Sequence, residues 1–163
     1  SCARMGLPAA TRPTRGSASW ERLGIGRLNC CSRARLTARN VSDFSRMPRH
    51  HVSAKEHDTT VEYDGVLLRD VLEKAGAPLG KELRGKALST YVLATARDGY
   101  AVVYTLTEMD AAFTDSEILL ADHVKGQPLS ETQGPFRIVV AGDKKPARSL
   151  RMLERIDVVQ LRK

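Results

Sequence analysis

Cysteine is absent from the chain after residue 31, and this absence narrows the chemistry that the rest of the sequence can perform. The three cysteines, Cys2, Cys30 and Cys31, all lie near the N-terminus. Residues 32–163 therefore offer no disulfide, no thiolate metal ligand and no cysteine nucleophile. The adjacent Cys30 and Cys31 also lack the spacing of a zinc site. We interpret them as free thiols.

Long apolar runs and common catalytic motifs are absent as well. No segment approaches the roughly 18 to 20 apolar residues that a membrane helix needs, so no membrane span is expected. The N-terminus lacks the apolar h-region of a secretory signal, so we expect none. There is no glycine-rich phosphate loop before a helix and no Gly-x-Ser-x-Gly elbow. The 163 residues are enough for one domain with a core.

Positive charge is concentrated at the N-terminus. The first 40 residues hold eight arginines and one acid, Glu21, which accounts for the whole net charge of +7. Residues 1–33 are rich in Arg, Ser, Gly, Ala and Pro without a sustained period, which predicts a disordered arm before a folded domain at 34–163. The arm resembles a transit peptide or a nucleic-acid-binding arm in composition. We prefer a third interpretation, a leader without a specific role.

The hydrophobic pattern of the remaining chain predicts about seven strands and three short helices. Strands are predicted at 50–56, 59–63, 88–96, 100–106, 117–124, 136–141 and 156–161. They do not alternate regularly with helices, which favours an α+β fold with a mixed, mainly antiparallel sheet.

Helices and turns are predicted from local signals. A first helix is expected within 36–48, with Ser42 as its cap and Pro48 at its end. A second starts near Val66 and ends before Gly76, which suits a C′ position. A third follows Thr107 as its cap, with Asp110 completing a capping pair. Turns are predicted at 57–58, 64–65, 98–99 and 125–126.

Three segments in a fixed order carry a family resemblance. They read YDGVLLRDVLEKAGAP, DGYAVVYTLTEMD and ILLADHVKGQPLSETQGPFRIVVAGDKKPARSLRMLERIDVV. From about residue 36 to 161 this order resembles the oxidoreductase molybdopterin-binding domain of the sulfite oxidase family. The resemblance implies a sulfite oxidase-type α+β fold and a molybdopterin cofactor, and it would allow a periplasmic location.

The sequence departs from the catalytic members of that family at the metal ligand. In those members, the strand after the Pro-Arg corner carries a cysteine whose thiolate binds molybdenum, whereas Glu56, His57 and Asp58 stand near that place here. A soft thiolate is not replaced by imidazole or carboxylate without a change in metal chemistry, and His57 would better suit zinc, copper or iron. The family's tryptophan after the cationic residue is Ser149. We therefore expect no bound metal or cofactor and no redox catalysis.

The basic loop after the strand 136–141 is a candidate anion site. The resemblance implies that Arg137 faces the pterin and that Arg148 matches the family's cationic residue near the cofactor. Lys144 and Lys145 add charge, and such clusters suit phosphate groups. The four residues form our predicted anion or pterin-phosphate site. Alternatively, the lysines belong to a solvated turn and Arg137 pairs with a neighbouring acid.

Three functions remain open. The chain is a non-catalytic binding module that keeps the fold and an anion pocket, an active molybdopterin-dependent oxidoreductase, or a nucleic-acid binder acting through its arm. The neutral domain lacks interleaved basic and aromatic residues, so nucleic acid is not an expected partner. A small anionic ligand or a pterin is. The sequence does not define an oligomeric state.

Overall fold

The computed structural model of the chain describes residues 31–35, 44 and 46–161. This part of the chain contains nine strands and one α-helix that is described over its full length. The strands are β1 Cys31–Arg35, β2 His50–Glu56, β3 Thr59–Leu67, β4 Thr90–Ala96, β5 Ala101–Thr105, β6 Ile118–Val124, β7 Gln127–Pro128, β8 Arg137–Val140 and β9 Leu153–Gln160. The α-helix, α1, is Leu68–Lys74. Short 3-10 turns lie at Gly80–Glu82, Gly85–Ser89, Leu106–Glu108 and Pro146–Arg148. None of the described helices is long and apolar enough to cross a bilayer.

The strands form two sheets, and every pairing among them is antiparallel. The first sheet has the order β1-β9-β4-β5. The second sheet has the order β2-β3-β6, with β7 and β8 both paired to β6. The prediction of a mainly antiparallel, strand-rich fold with short helices is confirmed. The closing strand starts at Leu153, three residues earlier than the predicted 156.

The first strand lies across the predicted border of the N-terminal arm. β1 pairs with β9 from Cys31 opposite Val159 to Arg35 opposite Arg155. Residues 31–33 of the predicted arm therefore belong to an additional strand of the first sheet. The predicted helix at 36–48 lies largely outside the described residues. Phe44, which is described, is helical and buried, and its ring meets Phe136 edge-on at 5.2 Å.

The predicted turn at Asp64-Gly65 is wrong, because β3 runs through both residues to Leu67. The register of β3 against β6 shifts between them. A Cβ atom on Gly65 would lie 2.1 Å from the carbonyl oxygen of Leu120. Glycine is needed there because two strands approach closely, and not because the chain reverses.

The end of α1 follows the prediction, although its start does not. Val66 and Leu67 belong to β3, so the helix starts at Leu68. Gly76 has φ of 90°. Its amide donates to the carbonyl of Glu73 at 3.0 Å, and the amide of Ala77 donates to that of Leu72 at 2.9 Å. This pair of bonds is the Schellman motif that a C′ glycine permits.

The predicted cap at Thr107 is displaced by two residues. The 3-10 turn Leu106–Glu108 follows Thr105, whose amide donates to Oε2 of Glu108 at 2.8 Å. Asp110 instead accepts the amide of Ala112 at 2.9 Å. The acid three residues after the true cap is Glu108, so the capping pair was assigned in the wrong register.

Two hydrophobic clusters hold the described chain together. The larger lies among α1, the first sheet and one face of the second sheet, and it includes Leu68, Leu72, Val92 and Ile138. The smaller lies on the other face of the second sheet and includes Val52, Tyr63 and Leu119. Residues alternate between these clusters along β6 and β8, as a strand covered on both faces requires.

Candidate functional site

A cleft of about 400 Å³ opens where the β2–β3 turn, the β4–β5 turn and the loop after β8 meet. Glu56 and His57 come from the first turn, and Asp98 and Tyr100 from the second. Arg137 and Arg151 also line it. The cleft therefore combines two guanidinium groups, two carboxylates and an aromatic ring that is 50% exposed.

Arg137 is only 4% exposed and is held by two side chains from other strands of the second sheet. Its Nη1 donates to the hydroxyl of Tyr63 at 2.8 Å, and its Nη2 forms an ion pair with Glu56. The Tyr63 hydroxyl donates to Oε1 of Glu56 at 2.7 Å. The guanidinium carbon also lies 4.9 Å from the centre of the Tyr63 ring. These contacts connect β8, β3 and β2 on the face of the second sheet that carries the smaller hydrophobic cluster.

Burial has two consequences for this group. It is the main cause that raises the pKa of Tyr63 to about 12, and the hydrogen bond to Glu56 adds to it while Arg137 acts against it. The tyrosine is therefore a protonated donor at neutral pH. Nε of Arg137 is buried and has no hydrogen-bond partner among the described residues. A buried, unpaired N–H is unusual in a folded protein.

Arg148 lies in a different environment from Arg137. Its Nε and Nη2 donate to the two carboxylate oxygens of Asp143 at 2.8 and 2.7 Å, and its Nη1 donates to Glu108 at 2.7 Å. The hydrogen bond to Asp143, followed by that to Glu108, raises the pKa of Arg148 above its ordinary value. Arg148 lines a second cavity of about 480 Å³, together with Glu108 and Phe113.

The predicted anion cluster is thus divided in the structure. Arg137 lines the first cleft and Arg148 lines the second. Lys144 and Lys145 are exposed on the connecting loop, and neither forms an ion pair within the described part of the chain. His57, the predicted alternative metal ligand, stands in the β2–β3 turn with φ of 53°. Residues 46–161 contain no group of three potential ligands arranged to hold a metal.

Two residues that line the cleft, Tyr100 and Arg151, and Tyr63, which holds Arg137 from behind it, had no predicted role there. Tyr63 and Tyr100 were visible only as parts of quoted motifs, and Arg151 only as one basic residue among many. A strand pattern shows that Tyr63 lies on a buried face, but it does not show which cation meets it. Asp98 was predicted only as a turn residue, and its Oδ1 does accept the amide of Tyr100 at 3.0 Å.

A second polar cluster lies across β2, β3 and β6, away from the cleft. Arg49 makes a bidentate pair with Asp122 at 2.8 and 2.7 Å, and Nδ1 of His123 lies 2.8 Å from the same carboxylate. Burial alone would raise the pKa of Asp122, but the hydrogen bonds from Arg49 and His123 outweigh it and the pKa is lowered. Beside this group, the hydrogen bond that His51 donates to Asp64 raises the pKa of this exposed histidine.

Comparison with known families assigns the chain to one of them. The model of the oxidoreductase molybdopterin binding domain matches residues 25–163, so the chain belongs to this family. The predicted resemblance to an oxidoreductase molybdopterin-binding domain is thereby confirmed. A search among curated proteins found no match.

The metal half of a molybdopterin cofactor does not fit the side chains of the cleft. Its lining contains no cysteine. Cys31 pairs with Val159, whereas Leu153, close to the cleft residue Arg151, begins the same strand. At roughly 3.3 Å per residue, six strand positions separate Val159 from Leu153 by about 20 Å. Cys30 immediately precedes Cys31, and Cys2 lies outside the described residues. The arginines would suit the phosphate of a pterin, but no described thiolate is placed to bind molybdenum.

Proposed function

We propose that this chain is a non-catalytic member of its family that has the sulfite oxidase-type fold and binds a small anionic ligand in the first cleft. The observation that carries the proposal is the pair of arginines there. Arg137 is buried and neutralised by Glu56, whereas Arg151 is exposed and forms no ion pair with any residue that the structure describes. Arg151 therefore supplies the charge that is available to a ligand, and Arg137 forms the buried side of the cleft.

The chemistry of the cleft favours a phosphate or carboxylate attached to a planar group. A guanidinium matches either anion through two parallel hydrogen bonds. The half-exposed ring of Tyr100 offers an apolar face beside it. Since Glu56 and Asp98 balance the two arginines, attraction of anions is local to Arg151 and does not extend over a large field. A pterin phosphate meets this description without a metal.

This proposal differs from the predicted site in its residues. Arg137 stays in the proposed site, and Arg151 takes the role that was predicted for Arg148. Lys144 and Lys145 have no direct role, because both are exposed and absent from the lining of the cleft. Redox catalysis is not proposed, since the family's metal chemistry requires a soft thiolate ligand.

Binding of phenyl phosphate, followed by NMR on isotopically labelled protein, tests this proposal. We expect amide shifts at Tyr100 and Arg151, and a Kd that rises about tenfold in Arg151→Ala, as the loss of a charge-assisted hydrogen bond implies. Arg84→Ala removes an exposed arginine that does not line the cleft, so it should leave the Kd unchanged. Shifts that occur elsewhere, or equal losses in both variants, would contradict the proposed site.

A further inference from the structure

Residues 143–149 form a wall between the two clefts. Pro146, Ala147 and Ser149 line the first cleft, whereas Arg148 lines the second. The amide of Ser149 donates to the carbonyl of Pro146 at 3.0 Å, which closes the short 3-10 turn in the wall. The position of this loop therefore determines the width of the first cleft.

Two tyrosines from the β5 hairpin fasten the main chain of the wall. The hydroxyl of Tyr100 donates to the carbonyl of Ala147 at 2.7 Å. The hydroxyl of Tyr104 donates to the carbonyl of Arg148, and the Tyr104 ring is fully buried. Burial raises the pKa of Tyr104 far above its ordinary value, so the hydroxyl remains a donor at all ordinary pH values.

The side chain of Arg148 fastens the same loop from its other side. All three guanidinium nitrogens are engaged, two with Asp143 and one with Glu108. Glu108 is itself anchored, because its second oxygen accepts the amide of Thr105 at the end of β5. A chain of contacts thus runs from β5 through Glu108 and Arg148 to Asp143.

We infer that Arg148 is a positioning residue for the first cleft and not a contact to its ligand. It acts with Glu108 and Tyr104 as a clamp that holds the wall in place. This inference rests on the proposed function only for its effect on affinity. Arg148 already faces two carboxylates and lines the other cavity, so it offers no free charge to an anion beside Arg151.

Substitution Glu108→Gln separates a clamp from a ligand contact. If Arg148 bound the ligand, removal of a competing carboxylate would free it and tighten binding of phenyl phosphate. If Arg148 is part of a clamp, the wall loosens, and the Kd rises about two- to fivefold, as expected for loss of a partly exposed ion pair. Glu73→Gln, which removes an exposed carboxylate on α1, is the matched control and should leave the Kd unchanged.

Amide hydrogen exchange at Ser149 tests the clamp without any ligand. We expect exchange at this amide to become about two- to fivefold faster in Glu108→Gln and in Tyr104→Phe, and unchanged in Glu73→Gln. Faster exchange in a protein that does not bind phenyl phosphate would support the clamp while refuting the proposed function. Unchanged exchange in both variants, or tighter binding by Glu108→Gln, would overturn the inference.

Discussion

Arg137 on β8 and Glu56 at the end of β2 form an ion pair although 81 residues separate them in the chain. The two strands are not neighbours in the sheet, because β3 and β6 lie between them. The pair, joined by Tyr63, therefore connects strands that are not adjacent in the second sheet. It places a guanidinium in the cleft, next to Tyr63 of the smaller hydrophobic cluster.

Removal of the carboxylate should destabilise the protein. In Glu56→Gln the buried Arg137 loses its charge partner, and we expect the free energy of unfolding to fall by about 1–3 kcal/mol. Urea unfolding measures this change. Glu62→Gln, on the exposed side of the same hairpin, is the control and should change stability by no more than about 0.5 kcal/mol. Equal stability of the two variants would show that the ion pair is not structural.

The packing of α1 provides a test of the larger cluster. Leu72 is 2% exposed there. Leu72→Ala should lower the free energy of unfolding by about 2–5 kcal/mol, through lost burial and the cavity left behind. Leu88 is 48% exposed, so Leu88→Ala is a control of the same chemistry. A cost near that of the control would mean that the helix does not pack as described.

Much of this local structure could be predicted from the sequence. Gly76, Asp98-Gly99 and Lys125-Gly126 act within a few residues of themselves, and their turns occur where expected. Gly65 was misjudged because its reason lies on another strand, at Leu120. A glycine in a strand pattern signals either a turn or a close approach, and only the partner strand decides between them.

The site was less predictable for the same reason. Arg137 and Arg148 were identified as candidates, but their partners determine their roles. Asp143 is five residues from Arg148 and could have been suspected, whereas Glu108 is 40 residues away. Arg151 could not be distinguished from other arginines in the sequence. It differs from them in lining the cleft without an ion-pair partner among the described residues, and both features depend on the tertiary structure.

Truncation tests where the folded domain begins. A chain starting at residue 31 keeps β1, whereas one starting at residue 36 removes the strand that pairs with β9. We expect the second chain to melt at a lower temperature than the first, by roughly 2–4 °C for each kcal/mol of pairing lost. Circular dichroism melting measures the difference. Identical melting temperatures would show that β1 adds no stability and that the stable domain begins after residue 35.

The dependence of stability on pH should report on His51. The hydrogen bond that His51 donates to Asp64 raises the pKa of His51 in the folded protein. Its contribution to stability is therefore present at acid pH and is lost as the pH rises through the raised pKa. The free energy of unfolding should therefore increase more between pH 8.5 and pH 5.5 in the wild type than in His51→Gln. His57→Gln, at the β2–β3 turn, is the control. The hypothesis fails if the two variants have the same pH profile.

The contribution of Asp122 to stability should depend on pH in the opposite direction. Its pKa is lowered in the folded protein, so its contribution is present above the ordinary aspartate pKa and is lost as the pH falls. Arg49→Ala should weaken this acid dependence and cost about 1–3 kcal/mol at neutral pH, since a buried carboxylate loses its bidentate partner. Urea midpoints measured between pH 3 and pH 7 check this. Arg84→Ala should keep the profile of the wild type.

The molybdenum and pterin content of the protein, purified from a host that makes the cofactor, distinguishes a non-catalytic member of the family from an active oxidoreductase. We predict negligible molybdenum per chain and no sulfite- or sulfoxide-dependent turnover, because the lining of the cleft contains no thiolate ligand. Pterin without molybdenum, reduced in Arg151→Ala, would agree with this prediction. Near-stoichiometric molybdenum together with such turnover would contradict it.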